Sequence, residues 1–70
     1  MTKTLRIEGM ACPGCEKRVE KALLSVANVT AAKADRTAGE AVITADGFVL
    51  YMDLVEAVER FERYHVLDIR

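Results

Sequence analysis

The sequence has few of the residues that build closed metal centres. Its 70 residues include two cysteines and one histidine, and no tryptophan. Structural zinc and iron–sulfur centres normally use four such ligands, so this chain supplies at most half of one. Nothing approaches the roughly 20 apolar residues that span a bilayer, because the longest apolar run covers residues 48–52. The first residues alternate polar and apolar, unlike a signal peptide. We expect a soluble, cytoplasmic protein.

Charge and composition exclude further classes of function. The net charge is −1, and lysine and arginine are spread along the chain rather than clustered, so we expect no nucleic-acid partner. Hydrophobic residues make up 51% and charged residues 30%, which is typical of a globular chain. We expect residues 1–70 to form one domain. No acid–base pair, nucleophile–base pair or phosphate-binding loop is visible, so we do not expect an enzyme.

Hydrophobic periodicity predicts the order strand, helix, strand, strand, helix, strand. The predicted elements cover residues 4–8, 15–26, 29–35, 40–45, 52–63 and 66–69. This order favours an α+β fold, the ferredoxin-like βαββαβ sandwich with two helices on a four-stranded antiparallel sheet. A fifth strand over residues 48–51 is the lesser alternative.

Side-chain alternation predicts which residues reach the core. In the last strand, Leu67 and Ile69 are expected to face inward, and Val66 and Asp68 outward. The second helix has an apolar stripe that ends at Phe61. The polar side chains of the first helix are expected to face water: Lys17, Arg18, Glu20 and Lys21. Asn28 suits the left-handed backbone position that follows a helix.

Cys12 and Cys15 lie in the segment Gly-Met-Ala-Cys-Pro-Gly-Cys, residues 9–15, between the first strand and the first helix. Unpaired N–H groups and the positive dipole end at a helix start favour thiolate over thiol. We expect at least one lowered pKa, with Cys12 as the better candidate because the loop exposes it more. Two thiolates at this spacing can hold one soft metal ion. Met10 is expected to pack beneath the loop rather than bind metal.

A Gly-Met-x-Cys-x-x-Cys segment at the first strand-to-helix junction of a short chain resembles the heavy-metal-associated domain family. This family includes copper chaperones, the metal-binding domains of copper-transporting P-type ATPases, and mercury-binding resistance proteins. The resemblance implies that Cys12 and Cys15 are the metal ligands and that the cargo is Cu(I), with Hg(II), Zn(II) and Cd(II) left open. It also implies a monomeric metallochaperone that delivers copper to a P-type ATPase or its soluble domain, without entering the membrane. A metal-bridged dimer stays open.

The end of the second helix departs from the family pattern, which usually has a glycine there. Tyr64 is the best candidate for the position near the metal, as an aromatic cover or a hydroxyl donor to a cysteine sulfur. His65 is the second candidate, as a third ligand. A thiol–disulfide oxidoreductase and one half of a shared zinc or iron–sulfur site are the alternative functions. The basic side chains that follow the cysteines, Lys17, Arg18 and Lys21, either guide docking or only face solvent.

Overall fold

Four strands form one antiparallel sheet, and both helices pack on it. The computed structural model describes residues 1–70. The elements are β1 (Thr2–Glu8), α1 (Pro13–Leu24), β2 (Val29–Asp35), β3 (Glu40–Ala45), α2 (Tyr51–Glu59) and β4 (His65–Ile69). The strand order in the sheet is β2-β3-β1-β4. The ferredoxin-like α+β prediction is therefore confirmed, whereas the alternative fifth strand over residues 48–51 does not form. Neither helix has the length and hydrophobicity needed to span a bilayer.

The core lies between the sheet and the helices and contains no charged side chain. Its largest fully covered residues come from every layer: Leu5, Val19, Leu23, Ile43, Leu54, Val58 and Tyr64. Each large apolar side chain contributes about 1.5–3 kcal/mol when fully buried. Because a 70-residue domain has a small core, each of these positions is expected to matter for stability.

The helix ends differ from the sequence prediction. α1 begins at Pro13, two residues earlier than expected, because proline is preorganised for the first helical position and loses no hydrogen bond there. α2 ends at Glu59 rather than residue 63, and the chain then turns through Glu62, whose φ is 62°. Phe61 therefore lies beyond the helix with 42% of its surface exposed. The predicted left-handed Asn28 is confirmed by its φ of 72°.

A β-bulge in the pairing of β1 with β4 corrects the predicted faces of the last strand. Ile7 pairs with Val66 and Arg6 with Asp68, so that Leu67 has no partner in the ladder. The extra residue shifts the alternation. Leu67 is consequently 59% exposed, while Val66 packs against the core together with Ile69. The expectation that Leu67 faces inward and Val66 outward is wrong.

Two carboxylates of α1 bind backbone amides, one at the free edge of β2 and one directly after the end of that strand. The Glu20 Oε2 atom accepts a hydrogen bond from the Ala34 N–H at 2.8 Å, and Glu16 Oε2 accepts one from Arg36 N–H at 2.7 Å. Both glutamates are half-buried. The prediction that Glu20 simply faces water is therefore wrong, and these bonds fix α1, which carries the cysteines, against the sheet edge.

Candidate metal centre

The two cysteines occupy defined positions at the start of α1. Cys12 is the residue that caps the helix, with extended backbone angles (φ −147°, ψ 160°), and Cys15 lies in the first turn. The Cys12 carbonyl accepts a hydrogen bond from the Cys15 N–H at 3.0 Å, which closes that turn. Pro13 and Gly14 therefore continue a regular helix start. Gly14 does not need an unusual backbone angle, and a Cβ there would meet only the Cys12 Sγ atom, at 4.0 Å.

The two thiols are free and point at each other, with their Sγ atoms 2.6 Å apart. Cys15 is 1% exposed, whereas Cys12 is half-buried. Thiolate–metal bonds are about 2.3 Å long, so an ion held from opposite sides needs the sulfurs about 4.6 Å apart. A metal ion held by both sulfurs would therefore require them to separate, and Cys12 is the more exposed of the two.

Hydrogen bonds lower the pKa of the Cys15 thiol to about 6, from an ordinary value of 9.0. The Cys12 thiol contributes most to this lowered pKa, followed by the Tyr64 hydroxyl and a backbone group of Ala11. Desolvation opposes the shift and is outweighed. The expectation of an acidic thiol is confirmed, but the structure places it at Cys15 rather than Cys12, because exposure matters less here than hydrogen bonding to the sulfur.

Gly9 and Met10 support the loop from below. Met10 is 8% exposed and belongs to the core, as predicted. Gly9 has a φ of +105°, and a Cβ atom there would overlap the carbonyl oxygen of Arg63. Only glycine therefore lets the α2–β4 connection pass this close to the cysteine loop. This contact brings Tyr64 to the site.

Tyr64 is fully covered and stacks edge-on against Phe61, with ring centroids 5.8 Å apart. Burial raises the pKa of the Tyr64 hydroxyl, which therefore stays protonated at neutral pH. The hydroxyl lowers the pKa of the Cys15 thiol by favouring its thiolate form, although its oxygen makes no hydrogen bond in the structure. The buried hydroxyl is thus a donor beside the paired sulfurs for which the Cys15 thiolate is the available acceptor.

No third ligand joins the cysteines in this chain. No group of three or more histidine, cysteine, aspartate or glutamate side chains is close enough to hold a metal ion. His65 is exposed at the start of β4 and pairs with Glu8 across the strands. The structure therefore does not bring His65 to the thiols, and a four-ligand zinc site would need a second chain.

Comparison with protein families decides where this arrangement belongs, because the model of the heavy-metal-associated domain matches residues 4–65. The chain belongs to the heavy-metal-associated domain family. The order of helices and strands and the pair of free cysteines at the start of α1 agree with that assignment. A comparison with curated protein sequences found no match.

Solved structures with the same fold include several metal-handling proteins. The CopZ metallochaperone is 29% identical with a TM-score of 0.87, over 96% of this chain and all of that one. A copper-binding domain from HMA7, a P-type ATPase, is 27% identical with a TM-score of 0.81, over 100% and 99%. Oxidized MerP from Ralstonia metallidurans is also 27% identical with a TM-score of 0.81, over 97% of each chain.

Sequence reasoning missed two parts of the site. It gave no role to Gly9, although a glycine that directly ends a strand is a signal for positive φ or close backbone approach. It also gave no role to Glu16, which accepts a hydrogen bond from the Arg36 N–H. The neighbouring free strand edge was the available signal, because N–H groups there need acceptors.

Proposed function

We propose that this heavy-metal-associated domain is a Cu(I) metallochaperone whose ligands are Cys12 and Cys15. The observation that carries the proposal is the convergence of two free thiols, one of them acidic, with no third ligand in the chain. Two thiolates suit a soft ion such as Cu(I). The domain acts as a binding module without a catalytic step.

Transfer by ligand exchange follows from the unequal exposure of the two sulfurs. A partner thiolate attacks the two-coordinate ion, a bond from Cys12 breaks, and a second partner thiolate then replaces Cys15. Each Cu–S bond that forms is matched by one that breaks, and copper stays in the Cu(I) oxidation state throughout. Because the pKa of Cys15 is about 6, its sulfur is already a thiolate at neutral pH and loses no proton when the ion binds.

The partner we propose is a metal-transporting P-type ATPase or its soluble metal-binding domain, which the chain meets in the cytoplasm. The match with the HMA7 domain supports this choice. Lys17 follows Cys15 by two residues, and Lys21 lies in the last turn of the same helix. Both side chains are exposed, and neither forms a salt bridge. Free cations along the helix that carries Cys15 would steer an acidic partner surface without adding metal affinity. The complex should be weak, so that it dissociates after transfer.

Copper transfer to a heavy-metal-associated domain of an ATPase tests the proposal. We expect the Cu(I)-loaded chain to load the acceptor within seconds, faster than copper dissociates into a chelator. The Lys17→Glu/Lys21→Glu variant should transfer more slowly at low salt while keeping the same Cu(I) affinity, and high salt should remove the difference. Transfer that is no faster than spontaneous dissociation would contradict the chaperone role.

Mercury is the second candidate cargo, because the MerP match is as close in identity and TM-score as the HMA7 match. Parallel competition titrations with Cu(I), Hg(II), Zn(II) and Cd(II) would rank these metals. Since the sulfurs also lie within 2.6 Å of each other, disulfide exchange is the remaining alternative. If this chain exchanged with a model disulfide faster than a free dithiol does, an oxidoreductase would be favoured.

A further inference from the structure

An exposed apolar surface lies at the end of the domain opposite the cysteines. We call it the Tyr51 patch, and its members are Met1, Phe48, Leu50, Tyr51 and Met52. Phe48 is 76% exposed and Met52 79% exposed. The cysteine loop follows the last residue of β1, whereas Met1 of the patch precedes the first residue of that strand. The seven-residue strand, about 20 Å long, therefore separates the Tyr51 patch from the cysteines.

Hydrogen bonds hold the Tyr51 patch in place. The Asn28 side-chain amide donates to the Phe48 carbonyl at 2.7 Å, and the Asp46 N–H donates to the Asn28 carbonyl at 2.8 Å. Val49, between the two exposed side chains of the loop, is only 5% exposed and anchors it to the core. The apolar side chains are thus presented on a fixed backbone, which lowers the entropy cost of binding.

Shape and charge of the patch change across Tyr51. On one side is a shallow concavity of about 290 Å³ that Lys3 lines, with the Lys3 ammonium 5.6 Å from the centre of the Tyr51 ring. On the other side is a concavity of about 380 Å³ lined by Met52, Val55 and Glu56. Neither Lys3 nor Glu56 forms a salt bridge within the chain. The surface is therefore basic at one end and acidic at the other, with tyrosine between.

We propose that the Tyr51 patch binds a second copy of this chain. A two-fold axis through Tyr51 places Lys3 of each copy against Glu56 of the other, and each projecting Met52 against a concavity of its partner. Such self-complementarity is what a two-fold interface requires. With about 150–250 Å² for each large side chain, of which 47–79% is exposed, the five residues of the patch present roughly 600 Å² per copy, somewhat below the 800 Å² of a standard interface. The dimer should therefore be weak and reversible.

This dimer leaves both cysteine loops free at its outer ends. It differs from a metal-bridged dimer, which would join the loops, and it needs neither metal nor oxidised thiols. The net charge of −1 per chain gives little repulsion against self-association.

Sedimentation equilibrium over a concentration series, with reductant and a chelator present, tests the proposal. We expect reversible dimerisation, unchanged in the Cys12→Ser/Cys15→Ser variant. Met52→Lys should raise the dissociation constant at least tenfold. Leu67→Lys is the matched control, because Leu67 is 59% exposed on β4 outside the patch, and it should leave the constant within twofold. Circular dichroism would confirm that each variant folds.

Charge reversal identifies the occupant. Lys3→Glu and Glu56→Lys should each weaken the dimer several-fold, and the double variant should restore most of the loss, because each pair is rebuilt with reversed signs. A chain that stays monomeric to millimolar concentration, or a double variant weaker than both single variants, would overturn the proposal. A different result would also overturn it: if Met52→Lys weakened binding of the chain to neutral phospholipid vesicles but left self-association unchanged, the patch would be assigned to a lipid surface.

Discussion

Tyr64→Phe should stabilise the metal-free protein at low pH, although it removes a polar group beside the candidate ligands. The Tyr64 hydroxyl is fully covered and has no hydrogen-bond partner. An unpaired buried hydroxyl costs about 1–3 kcal/mol in protein mutational data. Phenylalanine keeps the ring, its contact with Phe61 and nearly all its volume. We therefore expect a gain of about 1 kcal/mol at pH 5, which raises the melting temperature by about 4–8 °C.

The gain should shrink as pH rises through the pKa of Cys15. Below about pH 6 that sulfur is a thiol and a poor acceptor, whereas above it the thiolate can accept a hydrogen bond from the Tyr64 hydroxyl. Because the folded-state pKa is lower than the ordinary value of 9.0, the wild type gains stability between about pH 6 and pH 9. Tyr64→Phe removes the second-largest cause of the lowered pKa, so the variant should gain less over that window.

Thermal unfolding of both proteins at pH 5 and pH 8, reduced and metal-free, measures the difference. Thiolate absorbance against pH gives the pKa of Cys15 independently, and it should rise in the variant. A variant that is less stable than the wild type at pH 5 would show that the Tyr64 hydroxyl has a hydrogen-bond partner and is not a buried unpaired group. An unchanged Cys15 pKa would show that Tyr64 does not act on the sulfur.

Three other predictions concern Cys12, Gly9 and Glu20. Cys12→Ala should raise the pKa of Cys15 more than Tyr64→Phe does, since the Cys12 thiol is the largest cause of its lowering, and thiolate absorbance measures this. Gly9→Ala should reduce the free energy of unfolding by more than about 2 kcal/mol by urea unfolding. Gly39→Ala is the comparison: its φ is also positive, but an added Cβ would only reach ordinary contact with the Ile7 carbonyl oxygen, at 3.6 Å, so it should cost about 1 kcal/mol. Glu20→Ala should cost about 1–2 kcal/mol by leaving an edge-strand amide unpaired, and a neutral effect would mean that water replaces the carboxylate.

The order of elements was predictable because each helix and strand has a clear apolar period. The bounds of β2 and β3 agree with prediction, since turn residues delimit both strands. The end of α2 was not predictable from its apolar stripe. Phe61 continues the helical period, and only the tertiary turn through Glu62 removes it from the helix. The predicted inward and outward faces of β4 were wrong for a related reason. The bulge at Leu67 depends on the register with β1 rather than on local alternation.

The cysteine positions were predictable from spacing, and their convergence followed from the helix start. The identity of the acidic thiol was not predictable from the sequence. The pKa of Cys15 depends on Cys12, Tyr64 and the local backbone, which only the fold brings together. The choice between Tyr64 and His65 likewise needed the register of β4. That register buries Tyr64 and leaves His65 exposed.

A competition titration against a Cu(I)-specific chelator, under strict anaerobic reduction, is the decisive measurement of whether Cys12 and Cys15 together hold one Cu(I) ion. X-ray absorption of the loaded wild type should show sulfur as the only ligand type. In the titration we expect one tightly held copper per chain, lost in Cys12→Ser, in Cys15→Ser and in the double variant, while circular dichroism shows the fold intact. Copper retained by the double variant against the chelator would show that other groups hold the metal.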